Sequence, residues 1–340
     1  MAGHSHINTV KAAGQQRILN VRPDTPDIRD RFYEPALVRL ATQVEHTGGY
    51  VLDQGTEGAC TGFALAGVIN LLNMMRGQSF TASPRMIYEM AQKHDEWPGE
   101  DYEGSSCRGA IRGWKNMGVC GDDDWEFVVN KPDELTIERA MAARKNPIGA
   151  YYRLWPNIVD YHTALNEVDA IYVSARVHSG WFDPKTDGRG LAIIQPDPKP
   201  AGGHAFAIVG YDADGFIVQN SWGESWGKGG FAIWRYSDWQ ASVSDGWVFR
   251  LGIPTPTIFG LAAKSSVAVE EAEFFKRVPK RQEIAGHFAH FDDGKYKQAA
   301  TTGPPRRTFN RPQTKSKTTL AGTSTSSSSR MATQARPTRE

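Results

Sequence analysis

The chain has 340 residues, 40% of them hydrophobic and 11% aromatic, enough to pack a sizeable core as one large domain or two small ones. Lysine and arginine total 39 against 38 aspartate and glutamate, a net charge of +1, which excludes a global field drawing the protein to nucleic acid or anionic membrane. No window approaches the roughly 18 apolar residues of a membrane span, and "MAGHSHINTVKAAGQQRILNVRPD" holds no signal-peptide core; both predict a cytoplasmic protein, with any secretion by a non-classical route.

In chain order, residues 1–21 are polar and mixed and read as a flexible arm. "RPDTPDIRDRFYEP" follows, its prolines Pro23, Pro26 and Pro35 suiting an extended segment laid over a surface. Three helices are then predicted. Cys60 to Arg76 is apolar nearly all round and therefore buried. "SPRMIYEMAQKHD" opens with Ser83 as N-cap and a proline at the first helical position. Arg108 to Met117 places Ile111, Trp114 and Met117 on one face. Ala170 to His178 reads as a strand, and "GGHAFAIVGYDADGFIVQNSWG" as a hairpin turning at "DADG". Helices first and strands afterwards predict an α+β protein of two lobes. The domain is expected over 22–258, then a short extension over 259–297 with a strand from Glu283 to Phe291. A Ser/Thr/Arg-rich tail over 298–340 is too poor in apolar residues to fold.

Cys60, Cys107 and Cys120 are an odd and sparse set, which argues against a disulfide framework. A helix between Cys107 and Cys120, rising about 1.5 Å per residue, separates them beyond the roughly 7 Å that a bridge spans.

Cys60 is more than a small apolar residue only if the chain also supplies the rest of a nucleophilic site. Its place at a helix N-terminus favours a thiolate, through unpaired N–H groups and the helix dipole. Of nine histidines, His204 in "AGGHAFAIVGY" is the best placed base, on a rigid apolar strand with two glycines leaving room for close approach. If "DADG" closes the hairpin, cross-strand numbers sum to about 427 and Asn220 falls near His204 at the open end. There it accepts from one imidazole nitrogen and leaves the other to take the thiol proton. "NSWGESWGKGGF" adds a tryptophan turn able to shield that bond. Gln54, six residues before the cysteine, can join the Cys60 backbone N–H as a second donor to an oxyanion.

The order Cys60, His204, Asn220 has spacings of 144 and 16 residues, and papain-type enzymes place their partners about 130 to 150 residues after the cysteine. The chain resembles the papain-like cysteine peptidases over about residues 50–255. "QGTEGAC" is similar to that family's "QGxCGSCW" block, "GGHAFAIVGY" to its histidine strand, and "NSWGESWGKGGF" to its asparagine and tryptophan block. "GSSCRGAIRGWKNMGVCGDDDWEF" is similar to its glycine loop and following helix. The resemblance implies a two-lobed fold and amide hydrolysis through a thioester. Cys60 would be the nucleophile, His204 base then acid, Asn220 the orienter, Gln54 the oxyanion donor and Trp222 the shield. Gly58, Gly104 and Ser105 would line the substrate cleft. It implies a peptide or protein substrate, and neither cofactor nor metal.

The departures carry information as well. Glu57 stands where secreted members place a cysteine, so the usual disulfide of that loop is missing. Thr61 replaces the usual tryptophan after the nucleophile, as in bacterial-type members, and Gly203 precedes the histidine where Asp or Asn is common. Only 50 residues precede Val51, too few for the family's long helical pro-segment. The proline-rich arm then either packs as a permanent part or occupies the cleft. Two other functions use the same residues: acyl transfer to an amine, and a weakly active binding module acting through its tail. The tail has only Phe309 as an aromatic beyond Thr301, leaving little for base stacking in a nucleic-acid role.

Overall fold

The computed structural model describes residues 8–97, 102–186 and 190–252. The expected extension, its strand from Glu283 to Phe291 and the tail lie outside them.

Residues expected to be a flexible arm form a hairpin, β1 (Thr9–Ala12) against β2 (Gln15–Ile18), and Leu19 and Val21 beyond it are buried. Burial of the run "ILNV" overrides the polar composition around it. After β3 (Val44–Glu45) come α1 (Cys60–Met75), α2 (Pro84–His94) and α3 (Cys107–Met117), close to the predicted spans. The Ser83 hydroxyl caps α2 by accepting from the Met86 N–H, and Ser106 caps α3 by accepting from Gly109. Helix α1 has no side-chain cap. Burial holds it instead, and Gly62 lets α2 approach so closely that a Cβ there would stand 2.6 Å from the Pro84 carbonyl.

The second half holds α4 (Ile137–Ala143), β4 (Ile148–Arg153), α5 (Ile158–Val168), β5 (Ile171–His178), β6 (Ala192–Ile194), β7 (Pro200–Tyr211), β8 (Gly215–Gln219), β9 (Phe231–Arg235), α6 (Tyr236–Ser242) and β10 (Val243–Leu251). One sheet runs β4-β10-β5-β7-β8-β9-β6, antiparallel except between β6 and β9, with β3 added beside β7. The hairpin closes as predicted, Tyr211 facing Phe216, and slips by one residue between Ile208 and Gly210. Asp212 fixes the turn by accepting from the Asp214 and Gly215 N–H groups.

The fold is the α+β two-lobed one expected. One core joins α1, α2 and α3 to residues of β5, β7 and β10, among them Tyr172, Ala205 and Trp247. A second, on the other face of the sheet, takes in α5 and a tryptophan group of Trp181, Trp222, Trp226 and Trp234. Helix α1 therefore lies between the lobes, with its first residue, Cys60, at their junction.

Candidate active site

Cys60 begins α1, His204 stands on β7, and Asn220 follows β8. The fold brings all three together. The Cys60 sulfur accepts a hydrogen bond from the Ala205 N–H, next in chain to the histidine. His204 Nε2 lies 2.8 Å from Asn220 Oδ1, which also accepts from the Ser221 N–H at 2.8 Å. With Oδ1 accepting from two sides, Nε2 carries the ring proton, and Nδ1 has no hydrogen-bond partner among the described residues. Trp222, fully buried, covers the imidazole with ring centroids 4.7 Å apart. Gln54 is held at both ends of its amide: Oε1 accepts from the Ser221 hydroxyl and Nε2 donates to the Glu57 carbonyl, each at 2.8 Å. Its second amide hydrogen is left over. Ser221, which the sequence reading did not single out, thus positions both Gln54 and Asn220.

The electrostatics differ from the expectation of a helix-stabilised thiolate. Burial pushes the Cys60 thiol up to about 12, against the opposing hydrogen bonds from Ala205 and Thr61. Burial likewise pushes His204 down to about 4, with the Asn220 bond opposing and the Arg17 cation adding to the shift. Both side chains are therefore neutral, because loss of water outweighs the dipole.

Water is excluded by the N-terminal segment. Its backbone bridges the two walls of the cleft: the Val21 N–H donates to the Gly203 carbonyl, the Gly203 N–H to Leu19, and the Arg22 N–H to the Ser105 carbonyl. Asn20 adds a side-chain bond to the Glu103 carbonyl. The contact is so close that a Cβ on Gly203 would stand 1.9 Å from the Val21 carbonyl oxygen, and one on Gly104 2.7 Å from that of Asn20. Gly58 faces Ile18 and Glu103. The residues predicted to line a substrate cleft thus line one filled by the chain's own residues 18–22.

Two charged residues flank this segment. Arg17 is fully buried against Asp53 and Trp222. Asp24 accepts from the Arg108 N–H and the Trp247 indole and donates its own N–H to Asp245. Burial, reinforced by Asp245, raises Asp24 to about 7. The sequence reading missed these residues; the one signal available was "ILNV", an apolar run in a polar arm.

The geometry is that of a thiol hydrolase. The papain family cysteine protease model matches residues 42–246, and the chain belongs to that family. It is similar to the crystal structure of xylellain, a cysteine protease from Xylella fastidiosa, at 25% identity and a TM-score of 0.61, covering 71% of this chain and 97% of that one. An uncharacterized peptidase C1-like protein of Acanthamoeba polyphaga mimivirus is 24% identical over 215 residues, 58% of this chain and 69% of the relative. Mouse cathepsin K is 24% identical over 230 residues, 63% of this chain and 66% of the relative. The protein is a cysteine peptidase acting on peptides or proteins. Among the described residues no helix is long and apolar enough to cross a membrane.

Proposed function

We propose that Cys60, His204, Asn220 and Gln54 carry peptide hydrolysis, and that the closed form described here is latent. The observation that carries the assignment is the His204 Nε2 to Asn220 Oδ1 bond of 2.8 Å, which leaves Nδ1 unpartnered on the strand residue next to the one bonded to Cys60.

With substrate in place of residues 18–22, Cys60 passes its proton to His204 Nδ1 and its sulfur bonds to the substrate carbonyl carbon. The carbonyl pair moves to oxygen, where the Cys60 N–H and the remaining Gln54 amide hydrogen receive it. Collapse breaks the C–N bond, and the amine leaves with the proton from His204. Water then attacks the thioester, giving one proton to the imidazole; the C–S bond breaks, the acid departs and the thiolate recovers the proton. Opening the cleft restores water and removes the cost that keeps both groups neutral. Cys60, Cys107 and Cys120 are all unpaired, which suits a reducing compartment and supports a cytoplasmic setting.

A thiol-directed epoxide should label Cys60 and no other cysteine, and Cys60→Ala should abolish labelling and peptide cleavage together. Labelling of Cys107 or Cys120 in place of Cys60 would overturn the assignment. Mass spectrometry with an added primary amine separates hydrolysis, which gives new termini, from acyl transfer, which gives amine adducts.

A further inference from the structure

Arg17 is held entirely by groups outside its own segment. Nη1 donates to Asp53 Oδ1 at 2.5 Å and to the Gly55 carbonyl at 2.8 Å, Nη2 donates to the Trp222 carbonyl at 3.2 Å, and the guanidinium carbon lies 5.9 Å from the Trp222 ring centroid. The carboxylate and the Gly55 carbonyl come from the loop that carries Gln54 into Cys60; the other carbonyl and the aromatic ring come from the turn after Asn220. Asp53 keeps one further bond, accepting from the Gly55 N–H.

Substrate cannot reach Cys60 while residues 18–22 join the cleft walls, and a segment that leaves takes the adjacent Arg17 with it. The site left behind offers a carboxylate, two carbonyl oxygens and an indole. The three polar groups that bond Arg17 are all acceptors, one of them a carboxylate, so an occupant that replaces it must donate and carry positive charge. The acceptors stand around a planar fork, which a guanidinium fills and the compact ammonium of lysine does not.

Its place in the cleft fixes which part of a substrate it meets. His204 gives its proton to the departing amine, so the leaving peptide lies along the imidazole, on the side that Trp222 covers. We infer that Asp53, the Gly55 carbonyl and Trp222 form a subsite for an arginine side chain on the leaving-group side of the scissile bond, a substrate preference that rests on the peptidase reading above.

Digestion of a proteome-derived peptide library by the full chain tests this. Arginine should be enriched tenfold or more at one of the first positions after the cleaved bonds. Asp53→Asn should lower the kcat/KM ratio of an arginine peptide to its leucine counterpart by tenfold or more. Cleavage without enrichment, or a ratio unmoved by Asp53→Asn, overturns the subsite and leaves the peptidase reading standing. No cleavage by a chain whose Cys60 alkylates overturns the peptidase reading, and the subsite is then decided by binding. Full-length Arg17→Ala should bind N-acetylargininamide saturably in calorimetry, bind N-acetylleucinamide at least tenfold more weakly, and lose the difference with Asp53→Asn; equal binding overturns the subsite. Should Arg17→Ala not fold, Arg17→Lys, which keeps the charge and gives up the fork, takes its place.

Discussion

In the proposed mechanism Asn220 and Gln54 serve the same reaction through different atoms, and their substitutions separate. Gln54→Ala removes one of two donors to the developing oxyanion and should lower kcat by about 10²- to 10³-fold with little change in KM, read from initial rates. Asn220→Ala frees the imidazole to turn and strands the Ser221 N–H, so it should lower kcat and also alter its pH profile. Asp24 supplies a pH test. Its carboxyl is raised from 3.8 to about 7 in the fold, so between those values the folded chain holds a proton that the unfolded chain has lost. Its stabilising share is full below pH 4 and lost as pH rises through 7. Thermal melting of Asp24→Asn should therefore decline less than wild type over that interval, and parallel declines would refute this role.

At the level of elements, the loop leading into α1 is fixed by an ion pair at Glu57. Arg85 of α2 grips Glu57 with both terminal nitrogens, at 2.6 and 2.9 Å, and the Asn130 N–H donates to the same carboxylate. Both side chains are buried. Arg85→Met strands the carboxylate and should cost about 3–5 kcal/mol in denaturant unfolding, while adding Glu57→Leu should return much of that loss. The sequence shows Glu57 as a departure but not its partner, since Arg85 lies 28 positions away on a helix whose facing is a tertiary fact. The hairpin carrying His204 and Asn220 was legible because "DADG" sets its register locally. Helix α1 was legible because it is apolar all round, and α2 because Ser83 and Pro84 mark its start. β4, α5 and β10 were not singled out: the exposed Ile158 and Val159 at the start of α5 and the mixed burial of β4 blur any period. The filled cleft was hardest to see, because the arm is held mainly by backbone bonds to Gly203 and Ser105, which leave no mark on residue type.

For the molecule as a whole, latency should be a property of the folded chain. Leu19 is fully buried in the second core, and Leu19→Asp places a charge there that the arm can relieve by leaving. Cys60 alkylation should then accelerate at least tenfold while Cys107 and Cys120 stay unreactive, which distinguishes release of the arm from unfolding; equal labelling of all three would mean the domain has come apart. The arm also has a direction. It passes from Arg17 beside Trp222 to Asp24 beside Arg108 and Trp247, entering on the leaving-group side and ending on the acyl side, whereas a substrate must run from acyl residue to leaving amine. With substrate oriented as the proposed mechanism requires, the arm runs through the cleft backwards, in the sense opposite to a peptide that is cut. Such a plug is not consumed by turnover, and because it is tethered its local concentration is millimolar in order and indifferent to dilution. If the proposed latency holds, a substrate must outcompete it afresh on every encounter, so the threshold for cleavage is set by how well a peptide replaces the arm's contacts, and the enzyme returns to rest when such peptides run out.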